Sequence, residues 1–150
     1  MVTVVVDTRE QKPWDFTDCE TATLETGDYT VEGVNAAIER KTASDFLSSI
    51  THDRERFERE CERASSFENP MVVLVEERRE TFENGEYRQN VHPNSVVGTV
   101  EAWEERYNVR FVFEKDRETA RRRAKAILKR WANGPQFDFD TPDNSVSQFL

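Results

Sequence analysis

The amino-acid sequence predicts an α/β domain in which a central mixed sheet is covered on both faces by helices. Two runs, Val2 to Asp7 and Met71 to Val75, are rich in β-branched or continuous apolar residues and read as buried strands. Between and after them, apolar residues recur at helical spacing among charges, the mark of helices buried on one side only. The two patterns alternate along the chain, which is what places helices over a sheet.

The first strand ends at Asp7-Thr8-Arg9-Glu10. A second extended region carries Thr21, Thr23 and Leu24 before Gly27, and Tyr29-Thr30-Val31 runs into a turn at Glu32-Gly33, giving a hairpin or a meander. Ala36 to Lys41 reads as a short strand feeding a helix that carries Phe46, Leu47 and Ile50, with Thr42 or Ser44 as its N-cap. The next helix starts at Asp53 and puts Phe57, Cys61 and Ala64 on one stripe, its many charges reading as solvated surface. Glu76 to His92 is polar, contains Asn84-Gly85 as a turn signal and reads as a mobile loop, with Glu76 a solvated strand end. Pro93 and Asn94 open a helix bearing Val96, Val97, Val100, Trp103 and Tyr107, and Val109 to Phe113 forms another strand. Asp116 caps a last helix with Ala120, Ala124, Ile127, Leu128 and Trp131 as its stripe, stopped at Asn133-Gly134-Pro135. The domain is expected over residues 1–132, and residues 133–150 form an acidic tail read as disordered on its own.

At 150 residues, one domain with a real hydrophobic core is expected. No apolar run approaches the roughly 20 residues of a membrane span, and the first residues lack the pattern of a signal peptide, so an intracellular, cytoplasmic protein is expected. Cys19 and Cys61 read as small buried side chains. Together with His52 and His92 they show no zinc-ligand spacing. The net charge of -9 opposes a nucleic-acid partner, because phosphate is normally gripped by Lys and Arg. Two features weaken that objection: 16 of the 21 basic residues are Arg, and the acidic excess resembles halophile surfaces, as in a halophilic archaeon or its virus.

The chemistry-bearing candidates lie at the fourth predicted segment. Residues two apart on a strand share a face, so Glu39 and Lys41 project together while Arg40 points the other way. Asp28, arriving from the preceding segment, could join Glu39 in offering hard oxygen ligands to Mg²⁺ or Mn²⁺. Such an ion would neutralise a scissile phosphate, with Lys41 orienting water or offsetting developing charge. An isolated E-x-K triplet is also a common surface ion pair.

The wider pattern is more specific. The chain reads VVVDTREQKPW, LETGDYTV, AAIERKTASDFLSSI, DRERFERE and a strand ending VLVEE, in that order. Over roughly residues 2–131 it resembles the nuclease domain of the XPF/Hef family of structure-specific DNA endonucleases, whose signature is GD, a variable gap, ERK, three residues and D. Gly27-Asp28 supplies the first element, Glu39-Arg40-Lys41 the second and Asp45 the last, and Asp7-x-Arg9-Glu10 resembles the family's strand-end motif.

The resemblance implies a restriction-endonuclease-like fold and metal binding by Asp28 and Glu39. It also implies catalytic assistance from Lys41 and supporting roles for Asp7, Arg9, Glu10, Arg40 and Asp45. Arg9, with its bidentate fork, would suit a phosphate. Plainer readings stay open for three of them: Asp7 capping a strand end, Asp45 stabilising a helix's first turn, and Arg40 bridging to Asp45. The implied activity is Mg²⁺- or Mn²⁺-dependent hydrolysis of branched, flapped or forked DNA in repair, replication or recombination, near the nucleoid. The rivals are another restriction-like or Holliday-junction nuclease, and a non-catalytic subunit of a nuclease pair. The helix-hairpin-helix module that family members usually carry is not found here, so a partner chain would supply it. A homodimer or heterodimer is expected through the last two helices, with Trp103, Tyr107 and Trp131 as anchors. The tail, whose Gln136 and Phe139 begin like a clamp-binding motif, is a candidate protein-docking segment.

Overall fold

Six strands form one mixed sheet in the computed structural model, which describes residues 3–16 and 19–134. In chain order they are β1 (Val4–Asp7), β2 (Cys19–Ala22), β3 (Tyr29–Val31), β4 (Ile38–Lys41), β5 (Met71–Val75) and β6 (Val109–Phe113). Across the sheet the order is β2-β1-β3-β4-β5-β6. β3 runs antiparallel to both β1 and β4, and the other neighbours are parallel. The expected α/β arrangement, a mixed sheet covered by helices on both faces, therefore holds. Of the expected hairpin or meander, the turn at Glu32-Gly33 joins antiparallel neighbours, β3 and β4, but β2 does not pair with β3. β2 lies parallel to β1 on its outer side, and β1 separates β2 from β3.

The helices are α1 (Ala43–Ile50), α2 (Arg54–Arg63), α3 (Arg79–Glu83), α4 (Pro93–Arg106) and α5 (Arg117–Asn133). α1 starts where Thr42 Oγ1 accepts from the Asp45 backbone N–H, which decides the cap in favour of Thr42 over Ser44. Asp116 caps α5 in the same way through Thr119 N–H. His92 Nδ1 caps α4 by accepting from Asn94 N–H, with Pro93 at the first helical turn. The stretch read as a mobile loop contains α3, pinned by Phe82, which is buried against Phe46 and Phe113.

Alternation along the strands divides the core in two. On one face Val4, Val6, Tyr29, Val31, Ile38, Val72 and Leu74 pack under the α5 stripe, joined by Trp14 and Phe16. On the other, Met71, Val73, Val75, Val109 and Phe111 pack under α1, α2 and α4. Every residue of β5 is buried because both of its faces are covered. Trp103 and Trp131 fill these cores and are unavailable as interface anchors; Tyr107 is half-buried, its hydroxyl donating to Glu58. Cys61 is buried as expected, whereas Cys19 is exposed on the edge strand β2. Val2 and the tail beyond residue 134 lie outside the described residues.

Candidate active site

Asp28 is positioned by its neighbours' backbones before its side chain is considered. It lies just before β3, where its N–H donates to Ile38 O and its carbonyl accepts from Asp7 N–H, so it extends the ladder between β1 and β4. Gly27 precedes it at φ +83°, and a Cβ there would come within 2.6 Å of the Ala37 Cβ. The motif needs glycine for both the left-handed turn and the close approach. The Arg40 backbone N–H donates to Asp28 Oδ2 at 2.8 Å, fixing the carboxylate against β4.

Across that strand Glu39 and Lys41 share a face, Lys41 Nζ lying 3.2 Å from Glu39 Oε2 and 4.6 Å from the Phe57 ring centre. α2 closes the site: Glu60 Oε1 accepts from Gly27 N–H at 3.2 Å, and the Glu60 carboxyl faces Glu39 closely enough to raise its pKa. At the end of β1 the Asp7 carboxylate accepts from Arg9 Nε at 3.0 Å, from Arg9 Nη2 at 3.3 Å and from Leu24 N–H at 2.8 Å. Asp7, Arg9, Asp28, Glu39 and Lys41 thus line a single cleft of about 290 Å³, with Arg56, Glu60 and Arg63 of α2 on its other wall.

Crowded carboxylates give the cleft its electrostatic character. Burial is the largest cause that pushes the Asp28 carboxyl up to about 7, and the Glu10 and Glu60 charges add to it against the Arg40 N–H bond. Glu39 is pushed well above the usual carboxylate range, first by burial and then by Asp28 and Glu60. Burial would raise Asp7 too, but the Arg9 guanidinium and two backbone N–H groups outweigh it and hold that carboxyl below its ordinary value.

The ERCC4 domain model matches residues 6–122. The chain belongs to the ERCC4 domain family. Among solved structures, XPF from Aeropyrum pernix shares 18% identity at a TM-score of 0.66, covering 93% of this chain and 67% of that one. XPF from Aeropyrum pernix in complex with DNA shares 20% identity at a TM-score of 0.68, covering 100% of this chain and 80% of that one. At that identity the likeness speaks for the fold. No curated protein matches the sequence.

Three of the sequence candidates lie elsewhere in this ERCC4 domain. Arg40 points to the opposite face of β4, as alternation requires, and is clamped by Glu10 through Nε (2.8 Å) and Nη2 (3.0 Å) and by Glu76 through Nη1 (3.1 Å). Glu76 also accepts from Trp14 Nε1 at 2.8 Å and meets Arg117 at 3.5 Å. Its side chain is 7% exposed, so Glu76 is not the solvated strand end expected of it. Arg40 does not bridge to Asp45, whose residue is exposed in the first turn of α1 and outside the cleft lining. Its backbone N–H completes the Thr42 cap.

Glu60, Arg56 and Arg63 were hidden by the reading of α2 as a solvated surface. Their signal is nevertheless periodic: 56, 60 and 63 form a second stripe one position before the apolar 57, 61 and 64. A helix packed by the latter stripe must bring the former to the edge of the sheet.

The donor set suits a hard divalent cation. Asp28 and Glu39 approach from adjacent strands and Lys41 is paired with Glu39, so two carboxylates crowded together out of water offer hard oxygen donors beside one ammonium. Among the described residues no group of three His, Cys, Asp or Glu is already gathered around a metal-sized point. An ion held here would therefore keep several waters, as Mg²⁺ does.

Proposed function

We propose that this ERCC4 domain is a Mg²⁺- or Mn²⁺-dependent endonuclease that hydrolyses phosphodiester bonds in branched, flapped or forked DNA. The observation that carries the reading is the meeting of Asp28, Glu39 and Lys41 in one cleft. Family membership and the DNA-bound state of the A. pernix XPF structure support it.

Asp28 and Glu39 would hold the cation, which when bound supplies charge neutralisation at the phosphate and a more acidic water. Lys41, seated between Glu39 and Phe57, is placed to orient the attacking water or to offset charge on the phosphoryl oxygens. Arg9, whose side chain is 66% exposed while its fork is braced by Asp7, offers a positioned phosphate contact at the mouth. Glu10 and Arg40 act on the far face as a clamp that keeps β4 in register with β1 and β5.

A paired state, with a second copy or a related chain supplying an additional grip on DNA, belongs to the same proposal. Its interface would have to use residues other than Trp103 and Trp131. The function is tested with labelled flap, fork, four-way junction and linear duplex substrates in Mg²⁺ and in chelator. Metal-dependent cutting of branched substrates over linear duplex is expected. Equal cutting of all four would favour a restriction-like nuclease, and no cutting with DNA binding retained would favour a non-catalytic subunit.

A further inference from the structure

α2 brings to the cleft a third carboxylate that the strand motif does not account for. Glu60 is half-buried on the wall opposite β4, facing Glu39, with its Oε1 accepting from Gly27 N–H at 3.2 Å. The helix that carries it is fixed on both sides of this residue. Phe57 and Cys61 are buried in the core, and Phe57 also lies under Lys41. Arg63 Nε donates to Thr26 Oγ1 at 3.3 Å, a second tie between α2 and the turn that leads to Asp28. Among the described residues Glu60 has no ion-pair partner: Arg9 is paired with Asp7, Arg56 with Asp53 and Lys41 with Glu39, while Arg63 turns to Thr26. A free side chain would swing away from other carboxylates, because like charges repel. Here helix packing and a backbone N–H hold Glu60 against one.

We infer that Glu60 belongs to the cation centre as an acceptor for waters held by the ion, and not as a direct ligand. The inference rests on the metal of the nuclease reading and adds a residue to it. Asp28, Glu39 and Glu60 do not gather around one metal-sized point, so Glu60 stands outside the ligand set. Mg²⁺ gives up its waters reluctantly. A carboxylate placed one water beyond the ligands holds that shell through charge-assisted hydrogen bonds. Its anchored Oε1 also keeps the carboxylate turned toward the cleft without any metal contact. Outer partners of this kind contribute about 10- to 100-fold in metal affinity.

Glu60→Gln keeps an oxygen for Gly27 N–H and removes the charge, whereas Glu60→Ala removes both. Calorimetric titration of the metal-free protein with Mg²⁺ should give a Kd weaker by about tenfold for Glu60→Gln, and by at least as much for Glu60→Ala. In chelator the Gln variant should have a Tm no lower than the parent's, since it relieves the repulsion between Glu60 and Glu39. Glu55→Gln, exposed on α2 and outside the cleft lining, removes the same charge and should leave the Kd unchanged. Parental affinity in Glu60→Gln, with only the Ala variant weakened, would reduce Glu60 to a prop for the turn and overturn the inference. Equal weakening by Glu55→Gln, or a lower Tm for Glu60→Gln in chelator, would overturn it too. A parent that takes up no Mg²⁺ would remove the centre and Glu60's part in it. Because uptake is read without DNA, a parent whose Mg²⁺ affinity depends on Glu60 but which cuts no DNA would refute the nuclease reading and keep the inference.

Discussion

Replacing Asp28 with asparagine should stabilise the metal-free protein at neutral and higher pH while removing its activity. Burial, with the Glu10 and Glu60 charges, lifts the Asp28 carboxyl from 3.8 to about 7. An unfolded chain releases that proton near pH 4 and the folded chain near pH 7, so between them the folded state holds more protons. Stability therefore falls as pH rises through that window. Three units at about 1.4 kcal/mol each set a ceiling of about 4 kcal/mol, and relaxation around the charge reduces what is realised. Asparagine keeps an oxygen acceptor for the Arg40 N–H but has no charge to bury. We expect a gain of about 2 kcal/mol near pH 8, or about 5 °C in Tm for a domain of this size, shrinking to nothing below about pH 4. Thermal unfolding in chelator across this range measures it. Adding Mg²⁺ should narrow the gap, because binding stabilises only the chain that binds. A variant less stable than the parent by the same margin at every pH would refute the reasoning.

Arg40→Lys leaves a charge but no fork between Glu10 and Glu76, and should cost about 2 to 3 kcal/mol in urea unfolding. An unchanged midpoint would show that the clamp contributes nothing. Gly27→Ala forces a Cβ against Ala37 at positive φ, so a loss of about 1 to 3 kcal/mol is expected, together with slower cleavage as Asp28 shifts. Full activity with wild-type stability would remove the turn from the account. With 30 acids against 21 basic residues, stability and flap cleavage should rise together from low to molar KCl as self-repulsion is screened. Activity that falls monotonically with salt would contradict this, and sedimentation on the same samples reads the pairing.

The parts of the fold most legible in the sequence were those set by periodicity. Met71 to Val75 is buried on both sides and has no polar positions to confuse the pattern, and the α5 stripe is fixed by its apolar spacing. Glu39, Arg40 and Lys41 divided between two faces because strand alternation allows nothing else. Pairing was less visible. β2 is exposed throughout and joins β1 in parallel across the sheet edge, a contact between segments whose local pattern is merely extended. The surroundings of Glu76 and Glu60 were hidden for a common reason: each is an acid whose burial is created by distant groups. Trp14, Arg40 and Arg117 enclose Glu76, while Gly27 and Glu39 meet Glu60. A single segment shows only the charge, not what will cover it.

The central claim is that Asp28 and Glu39 hold a divalent cation that Lys41 helps to use. It is tested most directly by titrating Mg²⁺ against single-turnover cleavage of a labelled flap, with metal binding followed by calorimetry on the same preparations. The account predicts no cutting in chelator, a saturable rise with Mg²⁺ for the parent, and neither binding nor cutting for Asp28→Asn. For Lys41→Ala it predicts binding retained and cleavage reduced at least about 100-fold. Cleavage in chelator, or an Asp28→Asn protein that cuts at the parent rate, would contradict it.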